Sequence, residues 1–278
     1  MTSAQVSLNQ KPAYSSAFDN IAEQYDSTFT SSVIGRLQRD SVWNELKKSF
    51  RAGDRILDIG CGTGVDARFL AERGIDVVAC DSSPRMLSVA ARRISGIPQS
   101  AGSVRLHLLP AEEISVLHND GLFDGAFSNF GVVNCVEDLG KLASDLVQLL
   151  KPGASLLLCL MGPVCLWETV WYVLHGEFAK ALRRFHRAGV EARLGGNAVI
   201  KVHYPSVRSI QRVFAPEIRL RAIRGIGIAV PPSYLEAWAS QFPSILRPVA
   251  NADLVLGRCP GIRMFADHVL LRFERTRA

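Results

Sequence analysis

A short stretch, residues 55–65, holds the residue types best suited to binding a ligand through the backbone. Three glycines, Gly60, Gly62 and Gly64, follow an apolar run at alternate positions. Glycine permits a sharp turn and lets backbone amides approach a ligand closely. The apolar run predicts a strand buried in a parallel sheet, and the residues after the glycines predict a helix. A glycine turn between a strand and a helix is the setting that nucleotide binding requires.

The residues around these glycines argue against two common nucleotide sites. The dinucleotide fingerprint has a further glycine or alanine directly after the position of Gly64, where this chain has Val65. A P-loop ends in Gly-Lys-Ser or Gly-Lys-Thr, and this turn has no such ending. NAD, FAD and P-loop nucleotides are therefore disfavoured as ligands.

The pattern Asp-x-Gly-x-Gly-x-Gly resembles motif I of the class I S-adenosylmethionine-dependent methyltransferases. The resemblance implies an α/β fold, with a doubly wound, mostly parallel seven-stranded sheet of the Rossmann-like type and a helical lid insertion. It also implies S-adenosylmethionine as the cofactor, bound at the motif. The cofactor-binding residues expected there are Asp58, Gly60, Cys61, Gly62 and Gly64.

A second acidic residue, Asp81, stands at the carboxyl end of a predicted buried strand over residues 75–80. An acid about twenty residues after Asp58 can accept hydrogen bonds from both hydroxyls of a ribose. Ser82 follows and is a further expected contact. In the family, an aliphatic or methionine side chain near this point packs on the adenine, which implies Met86. The alternative is that Asp81 only caps the following helix.

The segment after a predicted strand at 104–109 resembles the family's adenine-binding segment in part. Pro110 stands where the family usually has an aspartate, so the backbone amide of Ala111 or Glu112 is expected to serve the ring. The Glu112 carboxylate would then replace the missing acid. The alternative is that Glu112 is an ordinary acidic residue in the first turn of a helix.

A fourth predicted strand and its exit, residues 123–131, place two more residues at the site. Ligands of open parallel sheets bind outside the carboxyl ends of the strands, so Asn129 and Phe130 are expected beside the cofactor. In the family, this segment meets the methionyl amine and shapes the methyl-transfer site. The alternative for Phe130 is core packing.

The N-terminal run Phe-Asp-x-Ile-Ala-x-x-Tyr-Asp, residues 18–26, resembles the segment that closes over the cofactor in quinone-biosynthesis C-methyltransferases. The resemblance implies that Tyr25 approaches the methionyl end, although it would equally suit packing of this helix on the sheet. Residues 1–11 are polar and expected to be disordered. We therefore expect an N-terminal cofactor lid over residues 1–50 and a cofactor-binding core over residues 51–161.

Residues 162–278 are expected to form a helical substrate lid and the closing strands of the same sheet. Residues 165–187 carry an apolar stripe with basic residues at its far end, which predicts one helix. Such a stripe suits either burial against the domain, which we expect here, or a membrane interface. Further helices are expected at 205–214 and 234–246, strands at 218–223 and 267–273, and a loop at 225–232.

Methyl transfer from a sulfonium is an in-line displacement in which the protein mainly supplies orientation and a dry site. A general base is needed only when the acceptor must lose a proton. Among the six histidines, His203 has the best position for that role, near a predicted strand end in the lid region. The sequence shows neither metal-ligand spacing nor a nucleophile elbow.

The distribution of charge and the cysteine content indicate which partners and which location to expect. From residue 162 onward, 17 Lys and Arg face 8 Asp and Glu, a charge of +9, whereas the earlier residues carry 15 against 18, a charge of −3. The excess suits a solvated surface or an anionic substrate. Six cysteines without a Cys-x-x-Cys pair, and the lack of a signal-like or membrane-spanning apolar run, favour a cytoplasmic location.

We expect a small-molecule acceptor, lipophilic or anionic, that is methylated on O, N or C. The Asn/Asp-Pro-Pro-Tyr/Phe signature of nucleic-acid amino-methyltransferases is absent after the fourth strand, so no nucleic-acid partner is expected. Two alternatives stay open. One is an RNA or protein methyltransferase that docks through the basic half, and the other is a non-enzymatic module that binds the cofactor.

Overall fold

The computed structural model describes residues 13–98, 101–186, 188–194 and 198–277. Seven strands form one sheet in the order β3-β2-β1-β4-β5-β9-β8. Its strands are β1 (Arg55–Ile59), β2 (Asp76–Asp81), β3 (Val104–Leu108), β4 (Phe123–Ser128), β5 (Leu150–Met161), β8 (Ile218–Ile226) and β9 (His268–Arg275).

The strands β1 to β5 run parallel because helices cross between them, as the alternation of apolar strands and amphipathic helices predicts. Helices α3 (Val65–Ala71), α4 (Pro84–Ile94) and α5 (Leu139–Leu149) lie in these crossovers. Neighbouring strand residues point to opposite faces: Ile56 joins one buried cluster with Leu70, and Leu57 joins another with Leu142. Helices therefore cover both faces of the sheet.

Strand β9 closes the sheet by reversing direction, since it pairs antiparallel with both β5 and β8. The expected seven-stranded, mostly parallel and doubly wound sheet is thereby confirmed. Two helices precede it, α1 (Ala13–Tyr25) and α2 (Val33–Ser49). The Ser32 side chain caps α2 by accepting a hydrogen bond from the Gly35 amide, and Val42 and Leu46 bury the inner face of that helix.

The segment that follows β5 differs from the prediction. The single helix expected over 165–187 is instead three short pieces: α6 (Leu166–Leu174), α7 (Phe178–Ala181) and a 3-10 turn (Arg183–Phe185). Gly176, at a φ of 73°, turns the chain between the two helices. Position 187 lies outside the described residues. The apolar stripe is also exposed rather than buried, with Leu174 at 77% and Phe178 at 61% of full exposure.

The expected lid is not wholly helical, because a two-stranded antiparallel hairpin follows the 3-10 turn. Its strands are β6 (Val190–Leu194) and β7 (Ala198–Val202). The predicted helix 205–214 is confirmed as α8 (Val207–Phe214). The predicted helix 234–246 is wrong in detail, because Pro243 starts a new helix, α10 (Pro243–Leu256), after the short α9 (Glu236–Ala239).

Two smaller expectations have separate outcomes. Strand β8 continues through Ile226, so the loop expected from residue 225 begins later. Residues 1–11, expected to be disordered, lie outside the described residues. Among the helices that the structure describes, none combines the length and the apolar character that crossing a bilayer demands.

Candidate functional site

A cavity of about 320 Å³ lies at the carboxyl ends of the central parallel strands. Residues of the turns after β1, β2 and β4 form its floor, and α1 and the β6–β7 hairpin form its roof. Gly62, in the turn after β1, and Asn129, directly after β4, both line the cavity. This is the position at which open parallel sheets bind their ligands.

The glycine turn after β1 has the left-handed backbone that its sequence predicts, with φ of 73° at Gly60, 53° at Gly62 and 75° at Gly64. A Cβ at Gly60 would lie 2.5 Å from the Val132 side chain, and one at Gly64 would lie 2.9 Å from Ala90 on α4. A Cβ at Gly62 would meet no atom within 4 Å, and Gly62 lines the cavity. The first and third glycines therefore serve packing, whereas the middle one opens the turn toward a ligand.

Asp81 ends β2 beside this turn. Its carboxylate accepts hydrogen bonds from the Gly62 amide at 2.8 Å and the Ser83 amide at 2.9 Å, and the residue lines the cavity. Burial raises the pKa of Asp81, and the two backbone hydrogen bonds offset only part of that rise. A carboxylate held in this way presents its remaining lone pairs in a fixed direction. Ser82 and the buried side chain of Met86 lie next to it in the cavity wall.

A buried polar network forms the floor beneath the exit of β4. The Asp66 carboxylate accepts from Arg39 Nη1 at 2.7 Å and from Trp43 Nε1 at 2.7 Å on one oxygen, and from Asn129 Nδ2 at 2.9 Å on the other. Two further buried atoms, Asn129 Oδ1 and Arg39 Nε, have no hydrogen-bond partner among the described residues. Buried polar atoms without partners are costly, so one unused acceptor and one unused donor at a cavity indicate a polar ligand.

Asp58 lies under the glycine turn and is 2% exposed. Its Oδ2 has no hydrogen-bond partner within the described ranges. Burial raises the pKa of Asp58 well above its usual value, and the charges of Asp66 and Asp81 raise it further, while Arg39 opposes them. Three carboxylates and one guanidinium therefore surround the turn. A cation bound beside these groups would favour their ionised forms, so the arrangement suits a cationic ligand.

Helix α1 (Ala13–Tyr25) is fastened over the cavity by an acidic side chain on it and by one directly after it. Asp26 accepts a hydrogen bond from Thr63 Oγ1 at 2.8 Å and forms an ion pair with Arg93. Asp19 accepts from Ser83 Oγ at 2.6 Å. Tyr25, between these two anchors, lines the cavity, and burial raises its pKa to about 12. Its hydroxyl therefore keeps its proton at neutral pH.

Phe130 adopts a backbone conformation that is rare for a residue with a side chain, with a φ of 52°. Its ring lies 4.7 Å from the Arg39 guanidinium carbon and makes edge contacts with Phe29 and His268. Strained residues of this kind concentrate at functional sites. Here the strain turns the ring into the cavity wall, beside the polar network.

The far end of the cavity is mostly apolar, with one cation. Arg183 reaches it from the 3-10 turn, held by Glu168, which accepts from Arg183 Nε at 2.7 Å and Nη2 at 3.0 Å. Glu168 is 1% exposed, so the guanidinium has a fixed orientation. The other side chains at this end are those of Cys135, Val136, Met161, Ala192, Leu194, Ile200, Val202 and Tyr204.

Most of the predicted cofactor contacts meet in this cavity. Its lining includes Tyr25, Gly60, Cys61, Gly62, Asp81, Ser82, Met86, Ala111, Asn129 and Phe130. Four predicted site residues do not line it. Asp58 and Gly64 lie behind the turn, Glu112 is half-buried outside the lining, and His203 is held through backbone hydrogen bonds with Asn134. The structure thus places the predicted base, His203, outside the cavity.

Several lining residues had not been predicted. Asp66 is an acid in the first turn of the helix after the glycines, which is a local signal. Arg39 comes from the middle of α2, and Arg183 comes from the insertion after β5. No motif marks either arginine, because their position depends on how distant elements pack together. Cys135 and Met161 were likewise found only through the fold.

Comparisons with known proteins identify the family and the fold that this chain resembles. A family model described as a methyltransferase domain matches residues 56–153. A demethylmenaquinone methyltransferase of Clavibacter sepedonicus is 36% identical over 153 residues, 55% of this chain and 60% of that relative. A malonyl-[acyl-carrier protein] O-methyltransferase of Serratia marcescens is 30% identical over 232 residues, 82% of each chain.

The same fold occurs in solved structures. The CcbJ methyltransferase of Streptomyces caelestis superposes with a TM-score of 0.60 at 13% identity, covering 97% of this chain and all of that one. At this low sequence identity, the similarity shows only that the two proteins share a fold. The chain spans about three fifths of the length of the demethylmenaquinone methyltransferase that it matches.

Proposed function

Because the chain belongs to the S-adenosylmethionine-dependent methyltransferase family, we propose that it transfers a methyl group from that cofactor to a small organic molecule. One observation carries the proposal. Residues that line the cavity carry buried polar atoms without a partner among the described residues, and three carboxyl groups surround the glycine turn. A cationic nucleoside with an amino-acid tail matches both features.

The residues present fit each part of the cofactor. Asp81 has the acceptor oxygens for the ribose hydroxyls, and Met86 and Ala111 lie where the adenine would pack. Asn129 Oδ1 is an unused acceptor for the methionyl ammonium, and Arg39 Nε is an unused donor for its carboxylate. A Cβ on Gly62 would meet no atom of the described residues within 4 Å, which leaves room for the ligand beside the turn.

When bound, S-adenosylmethionine supplies a methyl group on a positively charged sulfur, and this charge makes the sulfur a good leaving group. The chain's own task is then to hold the reacting atoms in line and to exclude water. Helix α1 and the β6–β7 hairpin cover the cavity, with Tyr25, Leu194 and Ile200 in their lining surfaces. The sulfonium would interact favourably with the ionised forms of the carboxyl groups of Asp58, Asp66 and Asp81 around the turn. We therefore propose residues 1–50 as a cofactor lid and residues 51–161 as the cofactor-binding core.

The apolar end of the cavity is proposed to hold the methyl acceptor. Demethylmenaquinone and malonyl-[acyl-carrier protein] are the substrates that the names of the two relatives give. An acceptor that packs on Met161 and Leu194 would be lipophilic at its reacting end. Because Glu168 engages Nε and Nη2 of Arg183, the remaining Nη1 would donate to an oxygen of the acceptor. This supports an acceptor with a carbonyl, hydroxyl or carboxyl oxygen.

Two rivals make different predictions. A non-enzymatic cofactor-binding module would have no acceptor space, whereas this cavity extends beyond the polar network to an apolar end. An RNA or protein methyltransferase would use the basic second half for docking, and its RNA affinity would fall steeply with salt. The enclosed and apolar character of the far end favours a small acceptor.

The proposal is tested by calorimetric titration with S-adenosylhomocysteine. We expect one-site binding to the wild type and a loss of about tenfold to a hundredfold in affinity for Asp81→Ala, because a charge-assisted hydrogen-bond acceptor is lost. Asp120→Ala, at an exposed acid outside the cavity, is the matched control and should bind normally. Unchanged affinity for Asp81→Ala in a folded protein would refute the assigned site.

A further inference from the structure

An exposed apolar face lies beside the acceptor end of the cavity. We name it the outer face and define it by Leu174, Phe178, Leu182, Phe185, Trp238 and Phe242. All six are at least 40% exposed, and Leu174 reaches 77%. Scattered apolar residues on a surface are ordinary, but a continuous group of large ones marks a docking surface.

Aromatic contacts join the pieces of this face. The Trp238 ring lies 5.9 Å from that of Trp167, 6.2 Å from that of Trp171 and 5.7 Å from that of Phe242. Tyr172 of α6 stacks on Tyr234, 6.2 Å away, so α6 and the segment leading into α9 meet side by side. The face is therefore one surface built from two parts of the insertion.

A buried ionic cluster holds the face in its outward position. Glu168, 1% exposed, binds both Arg183 and Arg184, and Arg184 donates to Asp267 at 2.9 Å where β9 begins. The side of α6 that carries Glu168 therefore points inward and is fixed to the sheet. Leu174 and the apolar residues after it consequently remain exposed.

The charge and the residue types of the outer face indicate what binds to it. Within the described residues 166–186, Glu168 and Arg184 are buried against each other, which leaves Lys180 and Arg183 against Glu177 at the surface. Lys180 and Arg183 lie over the Tyr172 ring, at 5.5 Å and 5.7 Å, next to the apolar residues. Tryptophan and tyrosine beside long apolar side chains, with basic groups at the rim, is the composition of a surface that enters the headgroup region of an anionic bilayer.

We propose that the outer face docks the protein on an anionic phospholipid membrane, with Leu174 and Phe178 inserted among the lipids. Arg183 belongs both to the rim of this face and to the lining of the cavity. Docking therefore brings the acceptor end of the cavity next to the membrane surface. The proposal concerns binding of the protein and does not depend on the identity of the methyl acceptor.

Sedimentation of the full chain with vesicles tests the proposal. We expect binding to vesicles of phosphatidylcholine with phosphatidylglycerol, weaker binding to phosphatidylcholine alone, and a blue shift of tryptophan fluorescence on binding. In the double variant Leu174→Glu with Phe178→Glu, the partition coefficient should fall by roughly tenfold or more, because two large apolar side chains no longer enter the bilayer.

The control is Val116→Glu with Leu122→Glu, which changes two equally apolar exposed residues on another surface. It should bind vesicles as the wild type does. S-adenosylhomocysteine binding by both variants should be unchanged, which verifies folding and separates this test from that of the cofactor site. Failure of the wild type to bind vesicles, or equal binding by the outer-face variant, would overturn the proposal. So would loss of a dimer in that variant without a change in vesicle binding.

Discussion

At the scale of single residues, substitutions at two glycines distinguish the effect of backbone strain on stability from the effect of a side chain that enters the cavity. Gly62 and Gly53 both have a positive φ, of 53° and 87°, and a Cβ on either would meet no atom within 4 Å. Only Gly62 lines the cavity. A side chain at Gly62 would therefore intrude on a ligand, whereas one at Gly53 would not.

We predict that Gly62→Ala and Gly53→Ala lower the free energy of unfolding by a similar amount, roughly 1–2 kcal/mol, because both force a left-handed backbone on alanine. Only Gly62→Ala should also weaken binding of S-adenosylhomocysteine, by about tenfold or more, because the added methyl group would clash with the ligand. Urea unfolding and calorimetric titration measure the two effects. Equal cofactor affinities for the two variants would contradict this role of Gly62.

We predict that Asp81 makes the cofactor affinity depend on pH. Hydroxyl donors favour the ionised carboxylate, and burial raises the pKa of Asp81 above its usual value. Affinity for S-adenosylhomocysteine should therefore be constant at higher pH and fall as pH drops through that raised pKa, by up to about tenfold per pH unit.

Titrations across the mildly acidic range measure this dependence. Asp81→Asn should bind more weakly at neutral pH and show a shallower pH dependence, because one of the titrating carboxylates is gone. Asp58, whose pKa is also raised by burial, accounts for the dependence that remains. A wild-type affinity that does not change with pH would show that the Asp81 carboxylate does not contact the ligand.

At the scale of elements, the proposed lid helix α1 is held by polar side chains on it and just after it. Asp26 connects it to Thr63 in the glycine turn and to Arg93 on α4, whereas the more exposed pair of Glu23 and Arg92 lies at its rim. Partly buried ionic hydrogen bonds contribute more than exposed ion pairs do. We therefore expect Asp26 to contribute more than Glu23 to the closure of this proposed lid.

We predict that Asp26→Asn speeds dissociation of S-adenosylhomocysteine by roughly tenfold, because about 1–2 kcal/mol of lid contact is lost. Glu23→Gln is the matched control, and its dissociation rate should stay close to that of the wild type. Stopped-flow displacement gives both rates. Identical rates for the two variants would mean that α1 does not gate the cavity.

The elements also show how far the sequence alone determines the fold. Strands β1 to β3 were predicted to within about a residue at each end, because a turn or helix signal follows each, and β4 was predicted together with its exit as residues 123–131. The β6–β7 hairpin was missed. Its apolar residues only alternate with charged ones, as at Val190, Ala192 and Leu194, and such a short pattern is weak. The Gly-Gly-Asn sequence at 195–197, outside the described residues, was the available signal for a hairpin.

The proposed cofactor and acceptor ends of the cavity differ in how far the sequence alone locates their residues. Residues of the cofactor end follow strand ends within one continuous stretch, so motif and spacing located Gly62, Asp81 and Asn129. Residues of the acceptor end come from separate elements, such as Met161 on β5 and Arg183 on the 3-10 turn. Their meeting depends on packing between distant segments, for which the sequence provides no local pattern.

At the scale of the whole molecule, a buried ionic cluster connects the insertion to the sheet. Glu168 on α6, Arg184 in the 3-10 turn and Asp267 before β9 are each less than 10% exposed and bonded to one another. The arginines lower the pKa of Glu168 despite its burial. A cluster of this kind fixes how the insertion sits, and removing one partner leaves a buried charge without its counter-ion.

We predict that Glu168→Gln lowers the free energy of unfolding by about 3 kcal/mol. The control is Glu177→Gln, which breaks the exposed pair with Lys180 and should leave that free energy close to the wild-type value. Because the folded-state pKa of Glu168 is lowered, its contribution is present above the unfolded pKa and disappears as pH falls through the folded one. Chemical denaturation at neutral and acidic pH measures both effects, and equal losses for the two variants would contradict the cluster's role.

The central claim is that a cationic nucleoside binds between the glycine turn and Asp81, with its reacting end toward Met161. A crystal structure of the protein with S-adenosylhomocysteine tests it most directly. We predict ribose hydroxyls on the Asp81 carboxylate, adenine beside Met86, and the sulfur facing the apolar end of the cavity. Ligand density elsewhere on the protein, or a cavity filled by side chains in the presence of saturating ligand, would contradict the claim.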